Sequence, residues 1–139
     1  MFLLDTNAVS ELMKPKMDRG FSRWLDRQDF SSFYLSTPTL AELGFGIAQL
    51  PEGKRKEALK KNLSATIALF KGRVLSFNQR AASSYVELAL RAKARGRGFP
   101  MPDSYIAAIA VANDFTVVTR DTSPFEAADA PFVTPWENE

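Results

Sequence analysis

Phe2-Leu3-Leu4-Asp5-Thr6-Asn7 decides the first element: three apolar residues run straight into an acid. That is the pattern of a short buried strand delivering a carboxylate at its C-terminal end. Similar runs recur along the chain at Phe33-Tyr34-Leu35, Val74-Leu75, the β-branched Thr116-Val117-Val118-Thr119 and Phe132-Val133. Helical patterns separate them. Ala8 to Met13 predicts a short helix closed by Pro15, and Phe21, Trp24 and Leu25 recur at helical spacing between Asp18 and Asp29. Thr37 with Pro38 marks a helix start, with Thr37 as the cap. That helix carries Leu40, Leu43, Ile47 and Leu50 and stops at Pro51. Gly53 to Phe70 predicts a longer helix whose inner face is Leu59, Leu63, Ile67 and Phe70. Asn78 caps a helix from Gln79 to Ala94 that is expected to bury Ala82, Tyr85, Leu88 and Ala89. After the loop Gly96-Arg97-Gly98, Pro102-Asp103 opens an apolar helix running through Ile109 to Asn113. A turn-rich segment follows the fourth apolar run, and Glu137 to Glu139 are expected to fray. Short apolar strands alternating with helices predict an α/β domain: a mostly parallel sheet with helices on both faces, spanning residues 1–139.

Composition removes most catalytic chemistries. The 139 residues include no Cys and no His. Disulfide frameworks, thiolate nucleophiles, Ser-His-Asp triads and imidazole metal ligands are therefore all excluded. Carboxylates, hydroxyls, Lys, Arg, Tyr or a bound ion must carry any reaction, and carboxylates in number favour hard cations such as Mg²⁺ or Mn²⁺. No apolar run approaches the roughly 18 residues of a membrane span. No basic segment precedes the first apolar run, so a cytoplasmic protein without membrane attachment is expected. The net charge of +2 is too small to mark a nucleic-acid binder. Two basic stretches, Lys54-Arg55-Lys56 with Lys60-Lys61, and Arg91, Lys93, Arg95 and Arg97, are either phosphate-steering patches or solvated helix faces.

Four acids fall where an open parallel sheet binds its ligands, at the carboxyl ends of the strands. Asp5 ends the first strand, Asp121 follows the fourth apolar run, and Asp103 sits in a first helical turn. Glu42 lies just over one turn into the helix after the second run, with its side chain leaning back toward that rim. Each has an ordinary alternative: an Asx turn or cap for Asp5, a helix-dipole acid for Asp103, a turn residue for Asp121, a capping-box partner of Thr39 for Glu42. As a group they repel one another, and a divalent cation is the natural neutraliser.

Phe2-Leu3-Leu4-Asp5-Thr6-Asn7, Thr39-Leu40-Ala41-Glu42-Leu43 with Gly46-Ile47, Pro102-Asp103-Ser104-Tyr105-Ile106-Ala107-Ala108 and Val118-Thr119-Arg120-Asp121 resemble, in order and spacing, the four motifs of PIN-domain nucleases. The compact length and the Glu42 segment resemble VapC-type toxins of type II toxin–antitoxin pairs, the FitB-like branch in particular. The resemblance covers nearly the whole chain. It implies a three-layer α/β/α sandwich around a five-stranded parallel sheet. It also implies Mg²⁺ or Mn²⁺ gathered by Asp5, Glu42, Asp103 and Asp121, with Asn7 and Thr119 in support. The implied activity is endonucleolytic RNA cleavage; the implied partners are a small antitoxin and a second copy of the chain. Two rivals remain. A PIN-like module that binds RNA or protein without cutting has little need of four acids. An aspartyl-phosphate domain would want paired acids near the first strand, or a second Asp where Asn7 stands.

Overall fold

Consecutive strand residues face opposite ways, and in β1 (Phe2–Leu4) Leu3 and Leu4 are both fully buried. A strand buried on both faces needs helices on each side. The computed structural model describes residues 1–137 and has that architecture. The elements run β1, α1 (Thr6–Leu12), α2 (Arg19–Asp26), β2 (Phe33–Ser36), α3 (Thr37–Ala48), α4 (Lys54–Ala68), β3 (Val74–Leu75), α5 (Gln79–Ala94), α6 (Asp103–Ala112), β4 (Thr116–Val118), α7 (Ser123–Ala128) and β5 (Phe132–Val133). A 3₁₀ turn, Phe30–Ser32, leads into β2. Among the described residues no helix is long and apolar enough to cross a membrane.

The strand order is β3-β2-β1-β4-β5, all parallel. Leu3 pairs with Val117, and both belong to the core that α5, α6 and α7 cover through Leu88, Ile106, Ile109 and Phe125. Leu4 pairs with Val118 on the other face, against Val9, Phe21 and Phe70. Burial of each such side chain contributes roughly 1.5–3 kcal/mol. This is the expected three-layer α/β/α sandwich with five parallel strands.

Several expectations shift by a residue or more. The cap before α3 is Ser36, and Thr37 and Pro38 are its first two helical residues. Both of those positions leave a backbone N–H outside the intrahelical ladder, so proline fits either. The helix ends at Ala48, which leaves Leu50 beyond it. On α5 the buried alanines are Ala81 and Ala92, while Ala82 is exposed and Ala89 half-buried. The turn-rich segment holds α7, a helix of only 6 residues that local pattern did not announce.

The basic stretches owe much of their presence to the fold. Arg95 Nη1 donates to the carbonyl oxygens of Glu126 (2.7 Å) and Ala127 (3.3 Å), and Arg91 Nη1 to that of Ala128 (3.3 Å). Those are last-turn carbonyls of α7, where the helical ladder runs out; the Glu126 oxygen also accepts from the Asp129 N–H at 3.1 Å. Arg97 Nη2 reaches the Ser123 carbonyl at 3.0 Å. Lys56 is buried, donating to the Ala48 carbonyl at 3.0 Å and to Glu52 Oε2 at 2.6 Å, so it ties α3 to α4.

The tail is anchored where fraying was expected. Trp136 Nε1 donates to Glu11 Oε1 at 2.9 Å, and the Glu137 N–H donates to Asp18 Oδ2 at 3.0 Å. Residues 138 and 139 lie outside the described residues. Burial works against the Glu11 carboxylate, but hydrogen bonds from Trp136, the Asp18 N–H and Lys14 hold it below the usual carboxylate range. Gly20 lies under this tail: a Cβ there would come within 2.6 Å of the Glu137 nitrogen and 2.7 Å of the Pro135 oxygen.

Candidate active site

The chain steps from β1 to β2 and β3 on one side, then crosses to β4 and β5 on the other. Strand order therefore reverses between β1 and β4, and a parallel sheet opens a ligand crevice at the carboxyl ends of such a pair. Asp5 follows β1 directly and Asp121 lies just past β4. The helices α1, α3 and α7 begin as their strands end at this rim. Because α6 turns into β4 through residues 113–115, it runs back along the sheet and also starts here. Helix N-termini carry partial positive charge, which favours acids and anions at this edge.

Asp5 is almost wholly buried and caps α1, its Oδ1 accepting from the Ala8 N–H at 2.9 Å. Its ordinary and its special readings therefore both apply. Burial is the main force raising its carboxyl. Hydrogen bonds from Thr119 and the Ala8 and Asn7 N–H groups pull it down, the nearby Asp103 charge pushes it up, and the balance stands at about 6. Asp103 is the first residue of α6. Its carboxyl also rises to about 6, by burial first, then by the charges of Glu42 and Asp121, all acting in one direction. Glu42 and Asp121 are exposed. The four acids predicted from sequence thus fall into one electrostatic group centred on Asp103.

Asp121 also keeps a turn role, its Oδ1 accepting from the Ser123 N–H at 3.3 Å. Thr119 is fully buried, bonded to the Asp5 carboxylate and 3.0 Å from the Asp121 carbonyl. A hydroxyl has one proton, so Thr119 donates to one of these at a time and links the two strand ends. Asn7 reaches Asp5 through its backbone N–H.

Sequence reading missed a hydroxyl layer beneath the acids. Thr39 is fully buried and lies 3.3 Å from Ser36 Oγ and 3.4 Å from Thr6 Oγ1. Ser104, beside Asp103, is buried with an Oγ that lacks a hydrogen-bond partner among the described residues.

Among the described residues no three carboxylates converge as tightly as a preformed metal cage. Bare carboxylates repel, and Glu42 and Asp121 are exposed. The donor set fits a hard divalent cation nonetheless. It is all oxygen, and Asp5 and Asp103 both bear a charge penalty that a cation would relieve. Next to the acids, a groove of about 600 Å³ runs between α3 and the segment before α6, lined by Glu42, Phe45, Met101, Pro102 and Tyr105.

Comparison with known proteins identifies the family and the fold. A model of the PIN domain matches residues 2–131. The chain is 46% identical to VapC ribonuclease Y4jK of Sinorhizobium fredii over 138 residues, 99% of each chain. It is 41% identical to Toxin FitB of Neisseria gonorrhoeae over 139 residues, 99% of this chain and all of the relative. Among solved structures, FitAcB from Neisseria gonorrhoeae superposes with a TM-score of 0.90 at 40% identity, covering 99% of this chain and 100% of the other.

Proposed function

The chain belongs to the PIN-domain family, and on that premise we propose that it is a divalent-metal-dependent endoribonuclease acting as the toxin of a toxin–antitoxin pair. The observation that carries the chemistry is the coupled acid group. Asp5 and Asp103 are pushed to about 6, and Glu42 and Asp121 both act on Asp103. A binding module without catalysis has no use for such a group, which costs stability when no cation is bound.

Asp5, Glu42, Asp103 and Asp121 would hold Mg²⁺ or Mn²⁺, directly or through water. When bound, the cation supplies positive charge to a phosphodiester and acidifies water for attack. The chain's own residues prepare for this. The α1 cap and Thr119 fix the Asp5 carboxylate in one orientation. Asp103, in the first turn of α6, stands near enough for its charge to act on Asp5. Glu42, on an exposed and longer side chain, is free to swing toward an incoming water or phosphate. The whole chain, residues 1–139, serves as one nuclease domain in the cytoplasm, where its RNA substrate lies. The relative named a toxin supports a cognate antitoxin as protein partner, and we expect a homodimer.

The test is cleavage of single-stranded RNA by purified protein in Mg²⁺ or Mn²⁺, in excess EDTA, and with Asp5→Asn. Cleavage should need the metal and should fall by orders of magnitude in the variant. Cleavage that survives both the chelator and the substitution would refute the mechanism.

A further inference from the structure

Phe45 and Met101 are large apolar side chains left 66% and 63% exposed, and neither belongs to either core cluster. They face one groove, and Glu42 lines that groove too. Pro102, also in its wall, is bonded directly to Asp103. The groove is thus continuous with the acid group. Phe45 stands between Gly44 and Gly46, and neither glycine's missing Cβ would meet anything within 4 Å. Two glycines inside a helix cost stability, and the surface on either side of Phe45 along this helix is open.

Resting on the ribonuclease reading, we infer that this groove is a subsite for one unpaired RNA nucleobase flanking the cut phosphodiester, held between Phe45 and Met101. Three features select that occupant. Pro38, Phe45, Met101 and Pro102 make its walls mostly apolar, suited to a flat ring and not to a sugar or phosphate. The rim is acidic, which repels phosphate but tolerates an uncharged base. The volume of about 600 Å³ lies within the range of small-molecule pockets. The substrate is thereby divided: the base enters the apolar groove, while the phosphate attached to it meets the acids and their cation. Stacking needs no particular hydrogen-bonding edge, so the subsite selects unpaired nucleotides over duplex more than one base over another.

The test is a double-mutant cycle on binding. The cut site of an RNA oligonucleotide is first mapped with the unsubstituted protein. An abasic ribose is then placed in turn at each nearby position, and affinity for the Asp103→Asn protein is read by fluorescence anisotropy in Mg²⁺. At one position flanking the cut, the abasic ribose should weaken binding roughly tenfold, the scale of one base stacked on an aromatic ring. With Phe45→Ala added, the same abasic ribose should cost almost nothing, and Met101→Ala should couple to the same position. Phe45 is largely exposed, so its loss leaves the fold intact, which circular dichroism checks. If Phe45→Ala weakens every RNA equally, or not at all, the subsite is overturned. It is equally overturned if the main effect is on oligomeric state, which would mean a second copy covers the groove. If no RNA is cut under any metal condition, the ribonuclease reading fails and takes the subsite with it; a mapped cut with no coupled position overturns the subsite alone.

Discussion

Replacing Asp103 with Asn removes one charge from the acid group while keeping its shape. The Asp103 carboxyl rises from 3.8 to about 6 in the folded protein. A rise of that size corresponds to roughly 3 kcal/mol between its protonation states. Because Asp103 is partly exposed, solvent screening reduces the folding contribution to about half of that. The folded protein binds this proton more tightly than the unfolded chain does. Stability from this group is therefore fully present below pH about 4, declines as pH rises toward 6, and is lost above it. Metal-free Asp103→Asn should be more stable than the parent at pH 7.5 by about 1–2 kcal/mol, or roughly 3–6 °C in Tm for a domain of this size. At pH 4 the two should melt together. With Mg²⁺ at pH 7.5 the order should reverse, because the parent gains more from the cation, and RNA cleavage by the variant should fall by orders of magnitude. The assays are thermal unfolding in EDTA at both pH values, repeated with metal, beside gel-based cleavage. If Asp103 were only a first-turn acid favouring the α6 dipole, its loss would cost about 0.3–1 kcal/mol and spare cleavage. An active, less stable Asp103→Asn protein would refute the reasoning.

Four further outcomes are expected. Expression of the chain without an antitoxin should arrest bacterial growth and Asp5→Asn should relieve the arrest, read by colony counts against matched soluble protein. Lys56→Gln should lower stability by about 1–2 kcal/mol through loss of its bonds to Ala48 and Glu52, while leaving the salt dependence of RNA binding unchanged. Exposed Lys54 and Lys61 changed to Gln should flatten that dependence if α4 steers phosphates. Gly20→Ala should displace the tail, shifting Trp136 fluorescence toward the solvent-exposed value and costing about 1–3 kcal/mol; unchanged emission would mean the tail has room to yield.

The strands were readable because short apolar runs are local signals, and the acids because each sits at a strand end or in the first two turns of a helix that starts at the same rim. What stayed hidden depends on distant partners. Glu11 meets Trp136 across 125 positions, which no periodicity encodes. Lys56 looks like its basic neighbours, yet the Ala48 carbonyl and Glu52 draw it inward. α7 is short, and its last-turn carbonyls are satisfied by arginines from α5 and the loop that follows it. The hydroxyl layer around Thr39 arises only where two strand ends and α3 meet.

The place of β1 at the centre of the sheet has a consequence for synthesis. Its neighbour β2 leaves the ribosome soon after it, but its other neighbour, β4, is made only when residues 116–118 have been added. Until then one edge of β1 has no strand to pair with, and Asp5 lacks both the Thr119 hydroxyl and the strand end that brings Asp121. A chain abandoned between residues 103 and 116 carries three of the acids but lacks the β4 strand end that completes the crevice. On the ribonuclease reading the acid group is completed only late in translation, and copies terminated before residue 116 are expected to be inactive.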